Sequence, residues 1–421
     1  MDRKELVILA GNCFPICSAT GSIAINFGNC LLQEYHVSMI VIEQEGFHYD
    51  GNHLGEFEVY SIRNWRLKWA QKAKIKRDLS KGVVSRFFNL SYQTARIVGR
   101  IQAMFFALNN NGWYKAKAYK VLDRIGKGKR IDAILTCAAP HEAHYVGRRY
   151  KENHPEVKWI TYWGDLLSIK TNKVNAFISM QDLIKIEREI CNASDYNLTT
   201  EENFGVLQNE LENKNKIKAL PYTLNQSVLD TYYDGAENND GIISIIYMGS
   251  FYKEIRNPEY FLRLFADLDI DFKLFLFSAG NCEDIVEKYV RKSNGKIISC
   301  GQIPKGELTI RLKKADFLVN IENKLENSNP SKLLELISYG KPIIDFSFSE
   351  SYSEALINYP YKLNVNMEND MLENIQIVEG FIKNNTLKRV DLKLILEMYK
   401  NNLESTVNQL ILNVFKKEEI K

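Results

Sequence analysis

Residues 326–346 read Glu-Asn-Ser-Asn-Pro-Ser-Lys-Leu-Leu-Glu-Leu-Ile-Ser-Tyr-Gly-Lys-Pro-Ile-Ile-Asp-Phe, and this stretch decides the fold. Proline suits the first turn of a helix and serine can cap it, so Pro330 and Ser331 mark a helix start. Apolar residues at helical spacing follow, and Gly340 and Pro342 stop the helix. The stretch therefore predicts a helix over 331–339 that leads into a buried strand over 342–346.

The polar residues of this stretch cluster on the first turns of the predicted helix. A helix N-terminus offers unpaired N–H groups and a partial positive charge, which suits a phosphate. A carboxylate one turn further in can accept two hydrogen bonds from a ribose diol. These residues therefore indicate a nucleotide-diphosphate site, although any α/β protein can contain an ordinary helix-to-strand turn of this shape. The candidate donor-binding residues are Asn329, Ser331, Lys332, Leu333 and Glu335.

The spacing of Pro, Ser, Lys, Glu, Gly, Lys and Pro in this stretch closely resembles the donor-site signature of retaining glycosyltransferases of family 4. That family has the GT-B fold, an α/β fold of two facing Rossmann-like domains with a last helix that crosses back to the first domain. Glu335 matches the second of the signature's two glutamates, which binds ribose. The first falls on Asn327, so the chain departs from the full pattern.

The resemblance implies a hexosyltransferase-type enzyme that moves a sugar from a nucleotide-sugar to a hydroxyl with retention at the anomeric carbon. It implies no cofactor and no metal. The DxD spacing at Asp267 falls at a helix-to-strand turn and predicts surface. Two alternatives stay open, a catalytically silent GT-B protein that stabilises a partner glycosyltransferase and a sugar-nucleotide epimerase of the same fold. The departure at Asn327 motivates the silent protein.

Composition indicates a soluble globular protein with room for two domains. The chain has 421 residues, of which 45% are hydrophobic and 25% charged. Its seven scattered cysteines include no CxxC pair, which predicts unpaired thiols in a reducing cytoplasm. We expect no signal peptide, because charged residues at the start run straight into a strand, and no apolar run reaches bilayer length.

Strands and helices alternate along the chain, which predicts parallel sheets covered on both faces. We expect an acceptor-binding domain over 1–229, a linker over 230–241, a nucleotide-sugar domain over 242–386 and a helical tail over 387–421 that returns to the first domain. The predicted strands are 5–10, 37–43, 131–136, 157–163, 196–199, 242–248, 272–277, 296–299, 317–321 and 342–346. The predicted helices are 21–33, 141–152, 174–191, 257–268, 283–293, 305–314 and 331–339.

Further donor residues are expected at strand ends, where ligands bind in open α/β sheets. Gly249 follows the first strand of the second domain, and the family has a basic residue about seven places later. Arg256 occupies that place, with Lys253 as a second candidate, although a solvated loop with a chance arginine explains the pattern too. Gly280 and Ile303 resemble the family's other donor loops. Gly21, at the start of the first helix, can present its N–H to an anion.

Candidate catalytic residues follow two later strands of the first domain. The segments around His141 and Asp165 resemble the Ser-Pro-Pro and Trp-Ile-x-Asp-x-Arg-Asp segments of many family 4 enzymes. His141 or His144 is expected to hydrogen-bond the sugar, and Asp165 to accept a proton from the acceptor hydroxyl. A histidine at a helix start is also a common cap or surface group.

Residues 61–130 are strongly basic, with only Asp78 and Asp123 opposing many lysines and arginines. Aromatic residues are interleaved with them, a pattern typical of amphipathic helices at an anionic membrane surface. Lys72, Lys74, Lys76 and Arg77 are the candidate membrane-facing residues. A solvated basic insertion is the alternative, and no nucleic-acid module accompanies the charge. We therefore expect a cytoplasmic protein, peripheral on the inner face of a bacterial membrane, that uses a lipid-linked glycan as acceptor in surface polysaccharide biosynthesis.

Overall fold

The computed structural model describes residues 3–15, 17–44, 46–63, 65–80, 82–105, 112–138, 140–168, 179–232, 241–324 and 332–416. The chain divides into two compact units. Unit 1 comprises Met1–Leu220 and Asn408–Lys421, and unit 2 comprises Pro221–Val407. Unit 2 therefore begins before the linker expected at 230–241, of which residues 233–240 lie outside the described residues. Only the last part of the predicted tail belongs to unit 1.

Unit 1 is built on a sheet that, within the described ranges, has eight strands in the order β3-β4-β2-β1-β5-β6-β7-β8. Only the β3–β4 pair is antiparallel. Most parallel strands are buried on both faces, because helices cover the sheet. The strands are β1 (Lys4–Leu9), β2 (Tyr35–Ile42), β3 (Asp50–Leu54), β4 (Phe57–Ile62), β5 (Ala133–Cys137), β6 (Lys158–Trp163), β7 (Tyr196–Thr200) and β8 (Ile217–Leu220). The helices are α1 (Ala19–Leu31), α2 (Trp65–Leu79), α3 (Gly82–Phe105), α4 (Gly112–Gly128), α5 (Glu142–Asn153), α6 (Met180–Ala193) and α7 (Glu201–Glu210).

Unit 2 carries a parallel sheet whose described strands follow the order β11-β10-β9-β12-β13-β14. Apolar clusters cover both of its faces. The strands are β9 (Ile243–Phe251), β10 (Phe272–Gly280), β11 (Ile297–Ser299), β12 (Phe317–Ile321), β13 (Ile343–Ser347) and β14 (Lys362–Asn366). The helices are α8 (Gln226–Leu229), α9 (Glu259–Ala266), α10 (Glu283–Lys292), α11 (Lys305–Lys314), α12 (Lys332–Ile337), α13 (Met371–Asn385), α14 (Leu392–Met398) and α15 (Glu404–Lys416), and α15 continues into unit 1.

Helix α12 ends two residues earlier than the sequence predicts. The Ser338 hydroxyl donates to the Leu334 carbonyl over 2.8 Å, and the Gly340 N–H donates to the Ile337 carbonyl over 3.0 Å. This last turn is tighter than an α-helix, since the Gly340 bond spans three residues. Gly340 has φ +64°, and a Cβ there would lie 1.7 Å from Tyr232 Oη, so this helix end requires glycine.

Candidate functional site

Gly249 lies inside β9, two residues before the strand ends at Phe251, whereas the sequence predicts that it follows the strand. It is therefore close to the edge at which ligands bind in open α/β sheets. It has φ +154°. A Cβ built on it would lie 2.8 Å from Tyr247 Oη and 3.3 Å from Lys332 Nζ. The missing side chain therefore leaves the space in which the Lys332 amine, carried by α12, reaches the end of β9.

Arg256 is held at the same edge by the loop that follows β9. Within this loop Tyr252 and Arg256 exchange main-chain hydrogen bonds of 3.1 and 2.8 Å. The Lys324 N–H donates to the Ile255 carbonyl over 2.8 Å, which ties the loop to the segment after β12. The fold thus joins the β9 loop to the approach to α12, although they are far apart in sequence.

Two cations meet here without an acidic ion-pair partner. Burial and the positive charge of Arg256 both lower the pKa of Lys332, and Glu335 opposes the shift. Among the described residues, neither Lys332 nor Arg256 forms an ion pair. Two like charges in a partly desolvated site disfavour each other, and an anion between them relieves both costs. The arrangement is therefore suited to binding a phosphate or diphosphate.

Other predicted donor residues have different surroundings. Lys253 is exposed, and its amine lies 2.8 Å from the Asp284 carboxylate. A Cβ on Gly280, which has φ +129°, would lie 1.8 Å from the Phe251 carbonyl oxygen, so this glycine permits close contact between chain segments. Of the two basic residues in the β9 loop, Arg256 is therefore the one whose charge acts on the Lys332 amine.

The remaining donor predictions in unit 2 concern main-chain positions. The Leu333 side chain is buried in the core, so only its main chain is available to a ligand. Ile303 is half-buried and packs against the same core. Asn329 and Ser331 lie outside the described residues.

In unit 1, the structure brings two of the three predicted catalytic residues together where β5 and β6 end. His141 Nε2 lies 3.2 Å from the main-chain oxygen of Asp165. The Asp165 side chain is exposed. An exposed carboxylate can accept a proton from a hydroxyl, and the His141 ring lies against the main chain of the same residue, so Asp165 suits an acceptor-activating role.

His144 instead lies in the core of unit 1. Its Nδ1 is 2.8 Å from Thr136 Oγ1, and its ring centroid is 4.2 Å from that of Trp163. Burial lowers its pKa well below the usual value, which keeps the ring neutral. The ring has no exposed surface. The predicted contact with a sugar requires an exposed ring, which the structure does not give His144.

Gly21 serves the connection between β1 and α1, the structural alternative to an anion contact at this position. Its N–H donates to the hydroxyl of Ser18, the capping residue of α1, over 3.0 Å. A Cβ on Gly21 would lie 2.0 Å from the Asn12 carbonyl oxygen. The N–H that the sequence offered to an anion is therefore already hydrogen-bonded, and close packing requires the glycine.

Asp345 is a buried carboxylate in β13 that sequence reasoning missed. Asn320 Nδ2 donates to its Oδ1 over 2.8 Å, while its buried Oδ2 has no hydrogen-bond partner among the described residues. Burial raises its pKa to about 7, and the nearby charge of Glu322 adds to the rise. The signal in the sequence was a single acid inside the apolar run that ends at Phe346.

Asp345→Asn is expected to stabilise the protein at pH 7.5 and to change the pH dependence of unfolding. The folded carboxyl ionises near pH 7 and the unfolded one near 3.9. Its contribution to the free energy of unfolding is therefore fully present below pH 3.9 and is lost as pH rises through 7. The variant should gain about 2 kcal/mol on wild type between pH 5.5 and 7. Urea unfolding at several pH values measures this gain, with exposed Asp271→Asn as control. A constant difference would contradict the expectation.

Helices α2 and α3 form a hairpin that carries the predicted membrane-facing residues. Trp69 Nε1 donates to Ser91 Oγ over 3.0 Å, which joins the two helices. Lys72, Lys74 and Lys76 are exposed, whereas Arg77 is half-buried. The Arg77 guanidinium lies 5.3 Å from the ring centroid of Tyr92, so part of its role is in holding the hairpin.

Large apolar side chains are exposed around the turn of this hairpin. Leu79 is 82% exposed and Val83 80%, and the others are at least half exposed. Exposed apolar residues beside lysines fit the interface of an anionic bilayer better than water. We call this set the hairpin tip, and it comprises Leu79, Val83, Val84, Phe87 and Leu90.

The described residues contain no group of His, Cys, Asp or Glu side chains arranged to hold a metal ion. Asp267, the first residue of the DxD spacing, lies 2.7 Å from the Lys292 amine. None of the described helices has both the length and the apolar character needed to cross a bilayer.

Three solved structures illustrate what this chain is similar to in architecture. Sucrose-phosphate synthase from Thermosynechococcus elongatus has a TM-score of 0.67 at 12% identity, covering 98% of each chain. WaaG, a glycosyltransferase involved in lipopolysaccharide biosynthesis, has a TM-score of 0.59 at 10% identity, covering 98% of this chain and 100% of its own. HepE from Anabaena, in complex with UDP and glucose, has a TM-score of 0.60 at 8% identity, covering 98% of this chain and 99% of its own.

These neighbours confirm the GT-B fold class that was predicted from the sequence. At such identities the likeness is one of fold. No protein-family model matches the chain, and no curated protein matches it in sequence.

Proposed function

We propose that this protein is a retaining glycosyltransferase, similar to family 4, that moves a sugar from a nucleotide-sugar to a hydroxyl acceptor. The observation that carries the proposal is the pair of cations, Arg256 and Lys332, at the Gly249 end of β9 without an acidic ion-pair partner among the described residues. In a GT-B fold this edge of the sheet suits a nucleotide diphosphate. The UDP and glucose in the HepE complex agree with a donor of this class.

The chemical task of the two cations is to stabilise the diphosphate that leaves the donor sugar. Negative charge grows on the phosphate oxygens as the glycosidic bond breaks, and preorganised cations stabilise that growing charge. Arg256 can hydrogen-bond a phosphate through two N–H groups. An arriving phosphate also opposes the lowering of the Lys332 pKa by burial and Arg256, which favours the ammonium form. We propose on this basis that the reaction uses no metal ion.

Glu335 is assigned to the ribose of the donor because it lies one turn into α12, near the Lys332 amine. Glu335→Gln keeps the shape but removes the charge that strengthens hydrogen bonds to a diol. Such bonds contribute roughly 1.5–3 kcal/mol, so nucleoside-diphosphate affinity should fall by about one to two decades. Calorimetry measures this loss, and the 2′,3′-dideoxy nucleotide should bind both proteins equally. Unchanged affinity would remove Glu335 from the site.

For the acceptor, we propose that Asp165 takes the hydroxyl proton while His141 hydrogen-bonds the sugar. The exposure of the Asp165 carboxylate supports this assignment, as does the 3.2 Å contact that holds His141 Nε2 against the main-chain oxygen of Asp165. The lysines of the hairpin and the hairpin tip support an acceptor held in a lipid surface, such as a lipid-linked glycan of bacterial surface polysaccharide. The enzyme would then act in the cytoplasm, peripheral on the inner face of the membrane.

A donor screen tests the proposal. Purified protein is incubated with a panel of UDP-, GDP- and ADP-sugars, and nucleoside-diphosphate release is measured with and without membrane extract. We expect the wild type to release nucleoside diphosphate and Arg256→Gln to abolish this release. NMR of the product should show the anomeric configuration of the donor. Epimerised sugar without transfer would favour the epimerase. A protein that binds but releases no nucleotide, with or without extract, would favour the silent stabilising role.

A further inference from the structure

A second cationic cavity lies in unit 2, at the edge where β12 and β13 begin. Its volume is about 240 Å³. Strand β13 rises about 3.3 Å per residue, so its length of five residues separates the two edges of the sheet by roughly 16 Å. A ligand in this cavity would therefore not occupy the Gly249 edge. The polar lining residues are Thr231, Tyr232, Lys313, Lys314, Tyr339 and Lys341.

Lys341 is the residue of this lining that most needs a partner. It is only 3% exposed, and its amine forms no hydrogen bond or ion pair with a described residue. Burial and the charge of Arg389 lower its pKa to about 7, and Asp316 opposes the shift only partly. Asp316 also accepts from the Ser244 N–H over 2.8 Å and lies 3.8 Å from Arg389. A buried lysine of this kind is costly unless an anion joins it.

Two more lysines at the end of α11 add positive charge to the cavity. The Lys313 amine donates to the Thr231 carbonyl over 3.2 Å, and Lys314 is exposed. Within the described part of the chain, neither lysine has a carboxylate within ion-pair distance. The described lining residues therefore supply three amines and no acid, which favours a negatively charged ligand.

The rest of the lining is apolar or aromatic. Val228 and Ile310 line the cavity together with the rings of Tyr232 and Tyr339. The Tyr232 hydroxyl donates to the Val390 carbonyl, which fixes that ring in place. Apolar walls with a few convergent polar groups are typical of small-molecule sites, and this volume suits a small ligand.

We propose that this cavity binds a small organic anion, namely a phosphate or carboxylate attached to an apolar or aromatic body. Lys341 and Lys313 hold the anionic group, Lys314 attracts it from the solvent side, and the tyrosine rings contact the body. The site is independent of the nucleotide site, so neither proposal depends on the other.

Calorimetry with phenyl phosphate, phenylacetate and neutral phenol at pH 6.5 tests this proposal. We expect either anion to bind at millimolar concentration or tighter, phenol to bind far more weakly, and the tighter anion to identify the head group. Lys341→Met should weaken anion binding at least tenfold, and the exposed Lys314→Gln about threefold, the screened contribution of one surface charge. Exposed Lys393→Gln serves as a control and should bind like wild type. Arg256→Gln removes phosphate binding at the Gly249 edge, and the anion binding that Lys341→Met weakens should persist in it.

Several results would overturn the proposal. One is the absence of binding by either anion at about 10 mM, roughly ten times the expected millimolar dissociation constant. Another is binding that Arg256→Gln removes and Lys341→Met preserves, because the anion would then occupy the Gly249 edge. Equal binding of phenol and phenyl phosphate would mean that the cavity is merely apolar. Lys314→Gln keeps the test valid if Lys341→Met fails to fold, and unchanged affinity in that variant would count against the proposal.

Discussion

Arg256→Ala and Lys332→Ala are each expected to lower kcat/KM for the nucleotide-sugar by about 10²–10³-fold, the usual effect of removing one preorganised group from a developing negative charge. The effect should appear mainly in kcat, because the charge on the phosphate oxygens is largest as the glycosidic bond breaks. The two cations act on the same diphosphate, so the double variant should lose less than the product of the single losses.

Lys332→Ala should also keep or raise the melting temperature while activity falls. Burial and the Arg256 charge already disfavour the ammonium in the empty site, so its removal relieves a cost of the folded state. Steady-state kinetics and thermal unfolding measure the two effects, with the exposed Lys292→Ala as control. Normal kcat/KM in both variants, with intact thermal transitions, would show that the diphosphate binds elsewhere.

Replacing Lys72, Lys74, Lys76 and Arg77 by glutamine is expected to release the protein from anionic vesicles. Each basic residue near such a surface contributes about 1 kcal/mol, so the four together should change partitioning by roughly 10³-fold. Binding by wild type should weaken as salt rises, since exposed charges are screened. Co-sedimentation with phosphatidylserine vesicles at low and high salt measures this, while nucleoside-diphosphate affinity should stay unchanged because these residues lie in unit 1.

A matched control variant replaces four exposed lysines of unit 2 by glutamine, namely Lys383, Lys388, Lys393 and Lys400. This variant should still bind vesicles. Val83→Ser at the hairpin tip should weaken binding at all salt concentrations, because its effect comes from lost apolar contact. A variant with only the three lysine changes retains the packing of Arg77 against Tyr92. Its free energy of vesicle binding should fall by about 3 kcal/mol. Absence of wild-type binding at low salt would favour a soluble acceptor or a protein partner for the hairpin.

Local signals in the sequence predicted many individual elements well. The α11 and β12 bounds match the expected ranges, because apolar periodicity and the residues at each end act within a few positions. Strand β3 was missed, since Asp50–Leu54 has no apolar alternation and is mostly exposed. It forms only because Gly55, with φ +59°, allows a tight turn back onto β4.

Local sequence patterns were enough to predict the helix-to-strand stretch ending at Phe346, the GT-B fold class and the residues of the proposed phosphate site. Proline, serine, glycine and apolar spacing act locally, so a linear pattern carries that information. Only the tertiary structure decided which cation lies beside Lys332, because the β9–β12 pairing and the Lys324–Ile255 hydrogen bond join distant segments. Burial was likewise a tertiary outcome. His141 and His144 are three residues apart, and both rings lie near Trp163. The shorter contact with Trp163 and the hydrogen bond with Thr136 bury the His144 ring in the core, whereas His141 stays half-buried at a strand end.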